Sequence, residues 1–283
     1  MGTREITGYA PLEIFRLADI EDLAAGADHH LRVFNVADDW LLEDIAIPAP
    51  PTSVAFAPDD GSIVIGSADK NAYVCGISLA RLLTGHEGAV TALAYTPDGA
   101  ALVSGGADKS VRHWNLANGQ PIRSISGHTD VVTGVAVTAD GASVVSTSAD
   151  KTLRVWTLAS GAAVSAITGA APIRCLALSR DSTRAVSAGD DRLVHVWDIA
   201  SGRELERFAG HAGVVSTIAV IGDGKQILSG GADKTVRKWN VAAARVIAAD
   251  ATKVHDMAIS ADSTHIATAG EDKRVKLWDL EGK

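Results

Sequence analysis

The chain has 283 residues and is 47% hydrophobic but only 5% aromatic, so its core must be packed by Ala, Val, Leu and Ile. A formal net charge of −8 denies it the positive field that a general binder of nucleic acid or anionic membrane needs. Its two cysteines, Cys75 and Cys175, are too few for a disulfide framework and form no metal-ligand pattern, so no metal or cofactor is expected.

The opening "MGTREITGYAPLEIF" lacks a basic stretch followed by an apolar run, and no signal peptide is expected. No window approaches the roughly 18 apolar residues of a membrane-spanning helix, so the expected setting is cytoplasmic.

In chain order one ten-residue phrase returns seven times. It reads "GADHHLRVFN" ending at Asn35, "SADKNAYVCG" at Gly76, "GADKSVRHWN" at Asn115 and "SADKTLRVWT" at Thr157. It continues as "GDDRLVHVWD" at Asp198, "GADKTVRKWN" at Asn240 and "GEDKRVKLWD" at Asp279. Each Asp (28, 69, 108, 150, 191, 233, 272) stands six residues before Phe34, Cys75, Trp114, Trp156, Trp197, Trp239 or Trp278. Successive anchors are 41, 39, 42, 41, 42 and 39 residues apart, the mark of a repeat architecture. Within a period, as in "AVTALAYTPDGAALVSGGADKSVRHWNL", apolar and polar residues alternate with the period of a strand. The turns are "TPDG", "GADK" or "SADK", and "NLANGQ", which predicts four short antiparallel strands per repeat and no helix.

Gly85-His86, Gly127-His128 and Gly210-His211 open three repeats, each histidine 28 residues before its tryptophan, and Trp-Asp closes two repeats at 197–198 and 278–279. On these residues the whole chain resembles the WD-repeat family, and its regular, Ala-rich phrasing is similar to bacterial members. The resemblance implies an all-β fold, a seven-bladed β-propeller of four-stranded antiparallel blades, with residues 1–283 as a single domain. Because the chain ends just past the last Trp-Asp, Arg4–Thr7 is expected to supply the outer strand of the last blade.

The resemblance also implies hydrogen-bond networks within blades. The matching sets are His86, Ser104, Asp108 and Trp114; His128, Ser146, Asp150 and Trp156; and His211, Ser229, Asp233 and Trp239. Ser, His and Asp together suggest a hydrolase triad. A nucleophile needed once is not repeated three times, however, and Trp has no part in that chemistry, so the networks are expected to be structural. Tyr9, Ile47, Ala170 and Asp250 replace the histidine elsewhere, and those repeats are expected to be looser. The second departs furthest, with Ile65 for the serine and Cys75 for the tryptophan.

Basic residues recur after the turn Asp (Lys70, Lys109, Lys151, Arg192, Lys234, Lys273, with His29 in the first repeat). Others stand two places before the Trp position (Arg32, Arg112, Arg154, His195, Arg237, Lys276). Such rings could attract an acidic peptide or a phosphate, but as ordinary consensus of the repeat both are expected to be solvated. More informative are the positions that break the repeat. The residue before the turn Asp is Ala in five repeats but Asp190 in the fifth and Glu271 in the seventh. The second position of the first strand is Thr52, Thr91, Thr133 or Ser216 in four repeats. It becomes Arg174 in the fifth and His255, beside Asp256, in the seventh. Two readings are open: a recognition patch of Arg174, Asp190, Arg192, His255, Asp256 and Glu271, or two local salt bridges.

The leading functional expectation is a non-catalytic, monomeric scaffold, alone or within a larger complex or longer chain, that binds a protein or peptide on the face carrying the Asp turns. The alternatives are a small-ligand or sensor domain and a channel-sited enzyme, either using Arg174, His255 and Asp256.

Overall fold

The computed structural model describes residues 5–6, 11–16, 21–26, 29–35, 41–57, 63–75, 79–221, 225–240, 245–249, 253–259, 265–271 and 275–279. Apart from β1 (Glu5–Ile6), the strands fall in order into four-stranded antiparallel sheets. The first holds β2 (Pro11–Arg16), β3 (Glu21–Gly26), β4 (His30–Asn35) and β5 (Leu41–Ala46). The second holds β6 (Pro51–Phe56), β7 (Ile63–Ser67), β8 (Asn71–Cys75) and β9 (Leu79–Thr84). The third holds β10 (Val90–Tyr95), β11 (Ala101–Gly106), β12 (Val111–Asn115) and β13 (Pro121–Ile125). The fourth holds β14 (Val132–Val137), β15 (Ser143–Ser148), β16 (Thr152–Thr157) and β17 (Ala163–Thr168). The fifth holds β18 (Ile173–Leu178), β19 (Arg184–Gly189), β20 (Leu193–Asp198) and β21 (Glu204–Ala209). The sixth holds β22 (Val215–Ile221), β23 (Gln226–Gly231), β24 (Thr235–Asn240) and β25 (Arg245–Ala249). The last joins β26 (Val254–Ile259), β27 (His265–Gly270) and β28 (Val275–Asp279) to β1. There Glu5 stands opposite Lys276 and Ile6 opposite Val275; Arg4 and Thr7 lie outside the described residues.

The first strand of each sheet lies against the first strand of the next, and β26 lies against β2. Core residues therefore sit between sheets rather than in one central mass. Trp114 packs with Val64, Val74, Leu83 and Leu102, joining the second and third sheets. Trp156 joins the third and fourth through Val103, Val111, Val132 and Val144, and Trp239 joins the fifth and sixth through Val186, Val194 and Val215. Small β-branched residues suit these layers, because alternation along each strand hands one face to each neighbour.

One irregularity recurs. The first two strands of every sheet shift register after the first residue, leaving residues 12, 52, 91, 133, 174, 216 and 255 as the extra, bulged position. A bulge re-aims its side chain out of the regular pleat.

Candidate functional site

In the fourth sheet His128 Nδ1 faces Asp150 Oδ2 at 2.9 Å and Nε2 faces Ser146 Oγ at 2.8 Å, while Trp156 Nε1 donates to the same oxygen at 2.8 Å. The third sheet repeats this with His86, Asp108, Ser104 and Trp114, and the sixth with His211, Asp233, Ser229 and Trp239. Gly127 precedes the histidine because a Cβ there would meet Trp156 Cη2 at 2.7 Å, and its φ of 156° suits glycine. Asp150 also accepts the Thr129 and Thr152 backbone N–H at 2.9 and 2.8 Å and the Thr152 hydroxyl at 2.6 Å.

The distances are those of a hydrolase triad, and access decides against one. Ser104, Ser146 and Ser229 are fully buried, each with a tryptophan N–H on its oxygen, so no substrate reaches them. Burial holds His86, His128 and His211 below the ordinary histidine value, against the pull of their aspartates. Burial alone would raise the Asp150 carboxyl, but the bonds from Thr152, Thr129 and His128 overrule it and bring it down to about 2. Each pair is thus a neutral imidazole donating to a carboxylate.

In the fifth and second sheets, where the histidine is missing, the residue two places before the Trp position takes its place as the aspartate's partner. In the fifth sheet His195 Nε2 lies 2.8 Å from Asp191 and Nδ1 lies 2.7 Å from Glu204, with the ring stacked on Trp197. In the second, the Tyr73 hydroxyl donates to Asp69, while Ile47, Ile65 and Cys75 are buried in place of histidine, serine and tryptophan. The expectation that these basic positions form a solvated ring is therefore corrected. His195 is bonded on both nitrogens, Arg154 lies over the Trp156 ring at 5.8 Å, Arg237 Nε donates to Thr235 Oγ1 at 3.2 Å, and Lys276 is buried. The reason is their position on the third strand, directly beside the network. Tyr9, Asp250, Asp272 and the side chains of Phe34 and Trp278 lie outside the described residues.

The serine's worth is measurable against this difference. Ser146→Ala orphans both Trp156 Nε1–H and His128 Nε2, whereas Ser187→Ala orphans Trp197 Nε1–H. In urea unfolding Ser146→Ala should cost about 2–3 kcal/mol and Ser187→Ala about 1 kcal/mol less. Equal costs would mean that the histidine gains nothing from the serine.

The other ring behaves as expected at its described positions: Lys70, Lys109, Lys151, Arg192 and Lys234 are exposed, all at positive φ from 66° to 75°.

The bulged positions divide into two kinds. Thr52, Thr91 and Ser216 donate to the backbone carbonyls of Val90, Val132 and Val254, and Thr133 to that of Ile173 at 2.8 Å. Each hydroxyl fastens its sheet to the first residue of the next. Arg174 instead turns outward and grips Asp190 with two bonds of 2.7 and 2.8 Å, leaving the Cys175 thiol, 3.9 Å from Val215 O, at the joint to the sixth sheet. His255 is half-buried, and among the described residues no hydrogen bond or ion pair joins it to Glu271. Asp256 accepts from Thr217 Oγ1 at 3.0 Å. Of the two salt bridges expected, Arg174–Asp190 is formed, and His255 and Glu271, which is exposed just past β27, do not form the other.

Arg174, His255 and Asp256 share one open cavity of about 240 Å³ with Thr91, Thr133 and Ser216. Asp190 reaches it through Arg174; Arg192 and Glu271 do not line it. Among the described residues no three His, Cys, Asp or Glu side chains are grouped to hold a metal ion. The bulge that aims these side chains leaves no mark in residue spacing; the only sequence signal was the departure from Thr or Ser.

The family model for the WD domain, G-beta repeat, matches residues 77–115, 119–157, 161–198, 202–240 and 245–279, more than half of the chain. No curated protein matches the chain. Five matched repeats, each ending at or just past its Trp position, show that the chain belongs to the WD-domain, G-beta repeat family.

Proposed function

We propose that the chain is a non-catalytic scaffold. In this reading it is a seven-bladed propeller that binds a protein or peptide on the face of the Asp turns, at the mouth lined by Arg174, His255 and Asp256. WD-repeat domains generally serve as protein-interaction scaffolds. Ring closure is supported by β26 lying against β2 and by β1 pairing with β28. Free Cys75 and Cys175 fit a reducing, cytoplasmic setting.

The carrying observation is the exchange at the bulge. A hydroxyl bond to the next sheet contributes about 0.5–1.5 kcal/mol, while an exposed ion pair such as Arg174–Asp190 contributes about 0–1 kcal/mol. Stability alone does not account for arginine where threonine serves the neighbours. The cavity, open and of about 240 Å³, lies just below the roughly 300–1,000 Å³ common for small-molecule pockets.

Capture from a lysate of the source cells tests this, with wild type beside Arg174→Thr/His255→Ala. Arg174→Thr should leave stability unchanged or raise it by up to about 1 kcal/mol, by adding a hydroxyl donor to Val215 O beside the weak Cys175 thiol donor. The double variant should lose at least about tenfold of the specifically captured protein, which corresponds to 1.4 kcal/mol. Equal capture would move the interface elsewhere, and a lowered melting temperature for Arg174→Thr would make the arginine structural.

A further inference from the structure

The last strand of each sheet leaves one row of backbone groups unpaired, and such edges are normally blunted by charge or proline. Pro121 and Arg123 stand on β13 and Glu206 and Arg207 on β21, and the sequences of β5, β9 and β25 also include charged residues. The strand β17, "AVSAIT", has neither. It lies within 19 residues, Val155–Ile173, free of Asp, Glu, Lys and Arg, in a chain where 21% of residues are charged. Its Val164 is 59% exposed, more than any other large hydrophobic side chain among the described residues.

We propose that β17 pairs antiparallel with β17 of a second copy, making a two-fold dimer through the rim of the fourth sheet, away from the cavity of Arg174. A second copy fits for two reasons. Identical strands related by a two-fold axis are self-complementary along their backbones. A chain of net charge −8 also opposes its own copy wherever acidic groups face, and Val155–Ile173 carries none; the charges beside it are Arg154, opposite Ala166 on β16, and Arg123, which donates to Ala159 O. An axis perpendicular to the sheet sets Ala166 opposite itself and Val164 opposite Thr168, all three exposed on the rim. The register with β16 shifts between Val155 and Trp156, leaving Val164 in a bulge and the regular edge short. The buried area is accordingly below the roughly 1,000 Å² of a stable interface, and the dimer is transient.

Sedimentation equilibrium up to about 1 mM protein, the range of weak complexes, reads this out. The wild-type mass should rise from 29.2 kDa toward twice that value. Ala166→Lys and Ala166→Glu, each folded by circular dichroism because the site is exposed, should separately associate at least about tenfold more weakly, since like charges then face each other. Mixing the two should restore association, which only a homotypic pairing of this strand explains. Ile122→Lys on β13 should change nothing. The proposal is overturned by a wild type that stays at 29.2 kDa throughout, by variants that associate like wild type, by a mixture that fails to recover, or by loss on Ile122→Lys instead.

Discussion

Asp150→Ala is expected to destabilise the protein by about 3–5 kcal/mol in urea or thermal unfolding, because it leaves several donors without their acceptor at once. The carboxylate is only 3% exposed and receives His128 Nδ1–H, two backbone N–H groups and the Thr152 hydroxyl. Asp150→Asn should cost less, since one oxygen still accepts while the new amide faces donors. A cost below about 1 kcal/mol for alanine would mean that water replaces the carboxylate freely.

The same groups set the pH dependence, and their signs agree. Asp150 lies at about 2 in the folded protein against 3.8 ordinarily, so its contribution is complete above the unfolded value and is lost as pH falls toward 2. His86, His128 and His211 lie below 6.5 when folded, so between the folded and unfolded values the unfolded chain binds more protons. Stability should therefore fall as pH drops below about 6.5, first through the histidines and then through the aspartates. Melting temperatures from about pH 7.5 down to about pH 4 should decline steadily. A flat profile between pH 7.5 and 5.5, about one unit either side of the ordinary histidine value, would mean the imidazoles titrate as in the unfolded chain.

Much of this network was legible because it is built on fixed spacing: 28 residues from His128 to Trp156, and six from Asp150 to Trp156. Strand alternation turns spacing into registration, so Ser146 and Trp156 meet across adjacent strands. What spacing cannot encode is substitution of role. His195 occupies the arginine position of its neighbours and yet replaces a histidine from another part of the repeat. That exchange is visible only in space, where both positions border the same aspartate. The clue was present: the fifth repeat both lacks Gly-His and carries histidine where others carry arginine. Arg174 was legible as a departure but not as a bulged residue, since the register shift arises from pairing rather than composition. The rim strand β17 is not legible from its own repeat, because its missing feature, charge, stands out only against the other outer strands.

Trp114→Ala is expected to cost about 3–5 kcal/mol, from a residue 1% exposed that fills the layer between the second and third sheets. The second sheet shows how that position is emptied without collapse. There Cys75 stands for the tryptophan, Ile65 for the serine and Ile47 for the histidine, all buried, and Tyr73 serves Asp69. A polar network is stable when fully satisfied or fully replaced, and worst when half-made. Trp114→Cys alone should cost nearly as much as alanine, and Ser104→Ile alone should strand His86 Nε2 and Trp114 Nε1–H. Installing the whole set, His86→Ile, Ser104→Ile, Arg112→Tyr and Trp114→Cys, should cost less than the sum of its parts by about 1–3 kcal/mol. Simple additivity would make the second sheet's residues four independent drifts. A positive coupling would make them one alternative solution to the same packing problem, written once among the repeats.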